Sequence, residues 1–223
     1  MVPVRHPASR PRPSVLVTGF DAFGGDALNP SWLAVQALRR SQIAGHRVVA
    51  ARLPTVFDES LRVLHGLLDR HRPALVLCVG QAGGRGAISL ERVAININDA
   101  RIADNACAQP VDTPVVAQGP AAYFSTLPIK AMLLALQREG VAAEVSQTAG
   151  TFVCNHVFYG LMHALATRRG FAGTRGGFIH VPWLPEQGAP ALPLDAMVRG
   201  LRLALRCALT TGRDVSQSAG AVS

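Results

Sequence analysis

The sequence predicts an α/β fold: a single-domain, three-layer α/β/α sandwich with a mostly parallel central sheet. Three observations carry this. Apolar runs at residues 15–18, 74–79 and 176–181 are strand-sized and lack the polar alternation of a sheet with one wet face, so they read as strands buried on both sides. Segments with helical spacing separate them, as βα units require. Gly19, Gly80 and Pro182 close the three runs, and turn residues punctuate most of the other segments.

The elements follow in order. Val15-Leu-Val-Thr18 is the first strand, and a loop then runs to Asn29-Pro30, an N-cap and first helical position that open a helix to about Arg40. Arg47 to Leu53 is a strand. Thr55-Val-Phe-Asp58 resembles a capping box with Asp in the last place, opening a helix to about His71. The strand at 74–79 runs into the glycine-rich stretch 80–86. Residues 89–98 alternate as one strand, and 98–120 hold turn residues with little periodicity, as functional loops or excursions do. A helix over 126–139, a short strand over 142–146 and a helix from about Cys154 to Arg169 come next. The strand at 176–181 and an amphipathic helix over 194–209 complete the pattern. The expected organisation is a disordered tail over 1–14, one domain over 15–210 and a polar tail over 211–223.

Composition excludes several function classes. Hydrophobic residues make up 49% of the 223, enough for a large core. The formal charge of +8 invites a nucleic-acid partner, but Lys130 is the only lysine, and the arginines are scattered with no basic run longer than two. Such a surface is mixed and solvated, so no nucleic-acid role is expected. Without a lysine preceded by glycine there is no P-loop, and G-x-S-x-G and H-E-x-x-H are absent too. Gly84-Arg-Gly86 leads into a strand and fails the context for a dinucleotide fingerprint. Cys78, Cys107, Cys154 and Cys207 form no C-x-x-C pair, which predicts reduced thiols in the cytoplasm. No apolar stretch is long enough to span a bilayer, so no membrane role is expected. The Pro/Arg-rich start lacks the apolar core of a signal peptide.

Cys154 is the positive candidate. It sits in the first turn of a helix after a Thr-Ala-Gly-Thr turn, where exposed N–H groups favour a thiolate and could hold an oxyanion. A buried cysteine is more often a small hydrophobe, the reading that suits Cys78 and Cys207. A thiol needs a base. His156 is nearest in sequence, but two helical steps turn it about 200° from Cys154, so packing or capping suits it better. His180 instead ends a strand at the sheet edge where the Cys154 loop should emerge. For a carboxylate to orient the histidine, Glu91, Asp99, Asp104 and Glu186 all qualify, and spacing does not choose among them.

Four segments together resemble the pyroglutamyl-peptidase I (pyrrolidone-carboxylate peptidase) family: Val17-Thr-Gly-Phe20-Asp-Ala-Phe23-Gly-Gly with Asn29-Pro30; Glu91-Arg-Val-Ala-Ile-Asn96 with Asp99-Ala-Arg101; Thr148-Ala-Gly-Thr-Phe-Val-Cys154-Asn-His156; and Gly177-Phe-Ile-His180-Val-Pro-Trp-Leu-Pro-Glu-Gln187. The resemblance runs from about Val15 to Leu209. It implies a cysteine omega-peptidase that removes an N-terminal pyroglutamyl residue from peptides, without metal or cofactor, in a homotetramer. It further implies Cys154 as nucleophile, His180 as base and Glu91 as its carboxylate, an oxyanion site near the backbone of Cys154 and Arg101, and a substrate pocket of Phe20, Phe23, Phe152 and Val153 with Asn29 and Gln81 as polar partners. Pyroglutamate is an uncharged lactam with apolar ring faces, one N–H and one C=O, so aromatic walls and amide partners suit it. Phe20 and Phe23 could equally be core anchors for the turn. Leu90 replaces the family's common proline, Trp183 its usual tyrosine, and Cys107 interrupts a loop usually free of cysteine.

Two rivals remain open. One is a phosphorylase-like enzyme using Arg85 and Arg101 on an anionic small molecule. The other is a non-catalytic protein that binds pyroglutamate without turning it over.

Overall fold

The computed structural model describes residues 12–220, so the expected tail of residues 1–14 lies outside the described residues except for its last three. In chain order, β1 (Ser14–Phe20) leads to α1 (Pro30–Ala37), β2 (Gln42–Ile43), β3 (His46–Leu53), α2 (Glu59–His71) and β4 (Leu75–Gln81). β5 (Ile88–Glu91), β6 (Val93–Ile95) and β7 (Ala122–Phe124) follow, then α3 (Ile129–Arg138), β8 (Ala143–Ser146), α4 (Val153–Thr167), β9 (Arg175–Val181) and α5 (Leu194–Thr210).

Among the described residues the main sheet has seven strands in the order β2-β3-β1-β4-β9-β5-β8. Its centre, β3-β1-β4-β9, is parallel. Reversed strands flank it: β2 is antiparallel to β3, and β5 is antiparallel to β9 but parallel to β8. The sheet is therefore mostly parallel, as expected, and tapers to edges of two residues (β2) and four residues (β8).

Strand alternation explains the three layers. Val15 and Val17 of β1, Leu75, Leu77 and Val79 of β4, and Ile179 of β9 face one side, where they pack with residues of α1, α3 and α5. Leu16, Val76, Cys78 and Phe178 face the other, with Leu64 and Leu68 of α2 and Val157, Phe158 and Leu161 of α4. Every residue of β1 is buried, which is why the run carries no polar alternation. Truncating a central residue such as Leu16 to alanine should cost about 2–5 kcal/mol. Gly19 lets α1 approach this sheet: a Cβ there would lie 2.7 Å from the Ser31 carbonyl oxygen and from Trp32 Cα.

Several expected boundaries move. The helix from Pro30 stops at Ala37, and Arg40 has φ of 64°, a left-handed turn that ends helical winding. The capping box does not form: α2 starts at Glu59, and Asp58 makes no side-chain cap. Thr55 is held elsewhere, donating its N–H to Asp21 Oδ1 (2.6 Å) and its hydroxyl to the Asp21 carbonyl (3.1 Å). The single strand expected over 89–98 is two strands in different sheets. β5 stays in the main sheet, Arg92 bridges out of it by donating to Ser146 O and accepting from Ser125 N, and β6 pairs with β7 in a separate ribbon. The Asn155 side chain serves that ribbon as a strand partner, accepting from Ile95 N (3.0 Å) and donating to the carbonyls of Ile95 (2.9 Å) and Ile97 (3.0 Å).

Residues 211–220 carry no helix or strand. Within them Asp214 accepts hydrogen bonds from the N–H groups of Lys130 (3.1 Å) and Ala131 (2.9 Å), which caps the start of α3 that Pro128 leaves without a side-chain cap.

Candidate active site

The site grows from the first turn of α4. Gly150 has φ of 76°, and the turn it allows delivers the chain to Phe152 at the N-cap. A phenylalanine has no oxygen to cap with, so no side chain fills the first-turn N–H groups, and these face outward as hydrogen-bond donors. Cys154 is the second helical residue and is half-buried. The segment before it is tied to the excursion carrying Arg101: Asp99 N donates to Thr151 O (3.0 Å), and Thr151 Oγ1 donates to Asp99 O (2.7 Å).

Gly80, near the end of β4, reports what converges above it. A Cβ placed there would lie 2.8 Å from Cys154 Sγ, 2.9 Å from Phe178 Cζ and 3.0 Å from His180 Cδ2. The thiol and the ring edge next to His180 Nε2 therefore crowd one small space that any residue with a side chain would fill. Behind His180, Nδ1 lies 2.8 Å from Glu91 Oε1. A carboxylate only accepts, so this contact puts the imidazole proton on Nδ1 and leaves Nε2 as the lone-pair nitrogen on the ring's other side. Glu91 is fully buried, and Arg85 donates to the same Oε1 at 2.8 Å. Burial pushes the Cys154 thiol up to about 12; the Glu91 charge adds to the rise and Arg85 opposes it. The resting sulfur at neutral pH is thus a thiol that needs a base, rather than the thiolate the helix terminus alone would favour.

Of the other candidates, Phe23 and Phe152 meet at a ring-centroid distance of 6.0 Å, and Phe57, which the sequence did not single out, meets Phe152 edge-on at 5.4 Å. Phe20 and Val153 are buried; Phe20 packs 6.3 Å from Phe178, which in turn lies 4.9 Å from the His180 ring. Gln81 donates to Asp26 Oδ2 (3.2 Å), and its own buried Oε1 has no partner among the described residues. Asn29 is largely engaged as the α1 cap: Oδ1 accepts from Ser31 N and Ser31 Oγ, and Nδ2 donates to Asp21 O. Arg101 is exposed and lines a cavity of about 330 Å³ with Asp99, Ile102, Gly150, Thr151 and Phe152. His156 is buried, with Nδ1 2.9 Å from Asn98 Oδ1 and its ring edge-on to Phe57, so it packs away from Cys154 as its rotation predicts. Of the other carboxylates, Asp104 binds the N–H groups of Phe57, Ala106 and Ala108.

Comparison with known proteins points to one family. The sequence model described as pyroglutamyl peptidase matches residues 13–211. The chain belongs to the pyroglutamyl peptidase family. It is 58% identical to pyrrolidone-carboxylate peptidase of Cupriavidus taiwanensis over 214 residues, covering 93% of this chain and 98% of that one. A pyrrolidone-carboxylate peptidase of Ralstonia nicotianae is 57% identical over the same shares of the two chains. Among solved structures, pyroglutamyl peptidase I of Bacillus amyloliquefaciens superposes with a TM-score of 0.90 at 46% identity, covering 93% of this chain and all of that one.

Within this family framework, Arg85 and Phe57 are the residues beside the candidate site that the sequence reading left without a part in it. Arg85 sits among glycines that look only like a turn, and Phe57 stands inside what reads as a capping box. Arg85 is committed to Glu91 and does not line the cavity that Arg101 faces, so the two do not form the joint anion site of the phosphorylase-like alternative. Among the described residues no group of three metal-ligating side chains occurs, and no helix is long and apolar enough to cross a membrane.

Proposed function

We propose that this chain hydrolyses the bond after an N-terminal pyroglutamyl residue of peptides, with Cys154 as nucleophile, His180 as base and Glu91 as the carboxylate that orients it. The observation that carries the proposal is His180 itself. Its Nδ1 is held by a buried carboxylate, and its opposite edge shares the space over Gly80 with the Cys154 sulfur. A raised thiol makes that base necessary.

Nε2 of His180 takes the Cys154 proton as the sulfur attacks the pyroglutamyl carbonyl. The developing oxyanion is received by first-turn N–H groups at Cys154 and by the backbone near Arg101. His180 then gives its proton to the leaving amine, the C–N bond breaks and a thioester remains. Water, deprotonated by the same nitrogen, attacks the thioester and releases free pyroglutamate and the thiol.

The pocket chemistry supports a neutral lactam. Phe23 and Phe152 offer ring faces, with Phe20, Phe57 and Val153 packed behind them. The free Gln81 Oε1 suits the lactam N–H, and the remaining Asn29 amide hydrogen suits its carbonyl.

Release of a fluorophore from a pyroglutamyl amide, with and without prior iodoacetamide, tests the proposal. Turnover that alkylation abolishes supports it. Turnover indifferent to alkylation would remove Cys154 from the mechanism, and binding without turnover would favour the non-catalytic reading.

A further inference from the structure

Arg85 reaches the site from the loop joining β4 to β5 and makes three contacts there. Its Nη1 donates to Glu91 Oε1 (2.8 Å) and Ser146 Oγ (3.5 Å), and its Nη2 donates to Thr148 O (3.3 Å). It thereby links the carboxylate on β5 to the segment that leads from β8 into the Cys154 helix. The loop is held on its other side, because the Trp183 indole packs against Gly83, where a Cβ would come within 2.3 Å of the ring. Glu91 Oε2 has no partner among the described residues, so both donors crowd the single oxygen Oε1.

We propose that Arg85 is a positioning residue that keeps the buried Glu91 carboxylate ionised and turned towards His180. A buried carboxylate without a cation is driven to take up a proton. A protonated Glu91 could donate to His180 Nδ1, which would invert the tautomer and leave Nε2 carrying a hydrogen when it must accept one from sulfur. The titratable groups facing Glu91 are Arg85 from the β4–β5 loop, His180 from β9 and Cys154 from α4. Among them Arg85 alone carries a permanent positive charge.

This inference rests on the peptidase reading, and the test separates the two. Hydrolysis of a pyroglutamyl coumarin amide is followed against pH for the wild type, Arg85→Gln and Arg85→Lys, with circular dichroism to check folding. The expected result for Arg85→Gln is a fall in kcat of about tenfold or more with KM within about twofold, and an acid limb moved to higher pH. Arg85→Lys, which keeps the charge but not the planar fork, should recover part of kcat and return the acid limb towards the wild-type position. An Arg85→Gln profile with the wild-type shape, whether or not the protein is less stable, would overturn the positioning role while leaving the peptidase reading intact. A folded wild type with no turnover would overturn the peptidase reading, and the positioning role with it.

Discussion

Glu91 and His180 stand diagonally opposite on neighbouring antiparallel strands, 89 positions apart in sequence, with Oε1 and Nδ1 2.8 Å from each other. The register pairs Ser89 with His180 and Glu91 with Phe178, which puts Glu91 and His180 on one face. A one-residue slip of β5 would send the carboxylate into the aliphatic layer where Leu90 sits. The pair therefore depends on β5 entering the sheet reversed, next to β9.

Replacing the proposed nucleophile is the first test. Cys154→Ala should reduce turnover of a pyroglutamyl amide by at least about a thousandfold, and Cys154→Ser by a similar factor, with circular dichroism and melting unchanged. Alanine-variant turnover within about tenfold of wild type would reject the sulfur as nucleophile.

Glu91→Gln keeps the volume but lets the side chain donate as well as accept. A loss of about 10²–10⁴ in kcat is expected, with KM nearly constant, together with some instability because Arg85 then faces a neutral amide. Equal losses in kcat and in substrate affinity would instead assign Glu91 to binding.

The raised Cys154 thiol has a consequence for its alkylation. With His180→Ala no base remains on that side of the sulfur, so the rate with iodoacetamide should be low at pH 7. It should keep rising through pH 9 and above, since the thiol titrates near 12. A plateau below pH 8 in this variant would show that the helix terminus alone generates the thiolate.

His156 gives a stability test with a definite sign. Burial lowers it from 6.5 to about 4, so the unfolded chain binds this proton more readily than the folded one. Stability should fall as pH drops from about 6.5 to about 4, by at most about 3 kcal/mol from this group. Urea melts at pH 7 and pH 4.5 should show a smaller loss in His156→Gln than in wild type. An equal loss in both would mean that His156 does not supply it.

Asp214→Asn weakens the cap on α3. A fall in Tm of a few degrees is expected, with unchanged activity, because Lys130 and Ala131 lie far along the chain from the Cys154 turn and on the opposite face of the sheet from α4.

The strands of the central sheet were legible because burial on both faces leaves an unbroken apolar run, as in β1, β4 and β9. The break at Arg92 was not. Alternation continues through it, and the partner that captures Ile95 is the side chain of Asn155, 60 positions away. The capping box at Thr55 failed for a similar reason, since Asp21 on the first loop competes for the same N–H. Cys154 and His180 could be singled out from their positions at a helix start and a strand end. Glu91 could not be separated from other carboxylates, because its partner is set by strand reversal, and nothing local in the sequence encodes the direction of β5. Arg85 was hidden among turn glycines, where the residues themselves say only that the chain bends.

The tapering of the sheet bears on solubility. A seven-stranded sheet could offer two long rows of unpaired amides to another molecule, yet this one ends in strands of two and four residues. At the β8 margin an incoming strand would find only four residues to pair with, so the edge nearest β9 and β5 is a poor template for fibrous growth, whereas β2 covers only His46 and Arg47 of the longer β3.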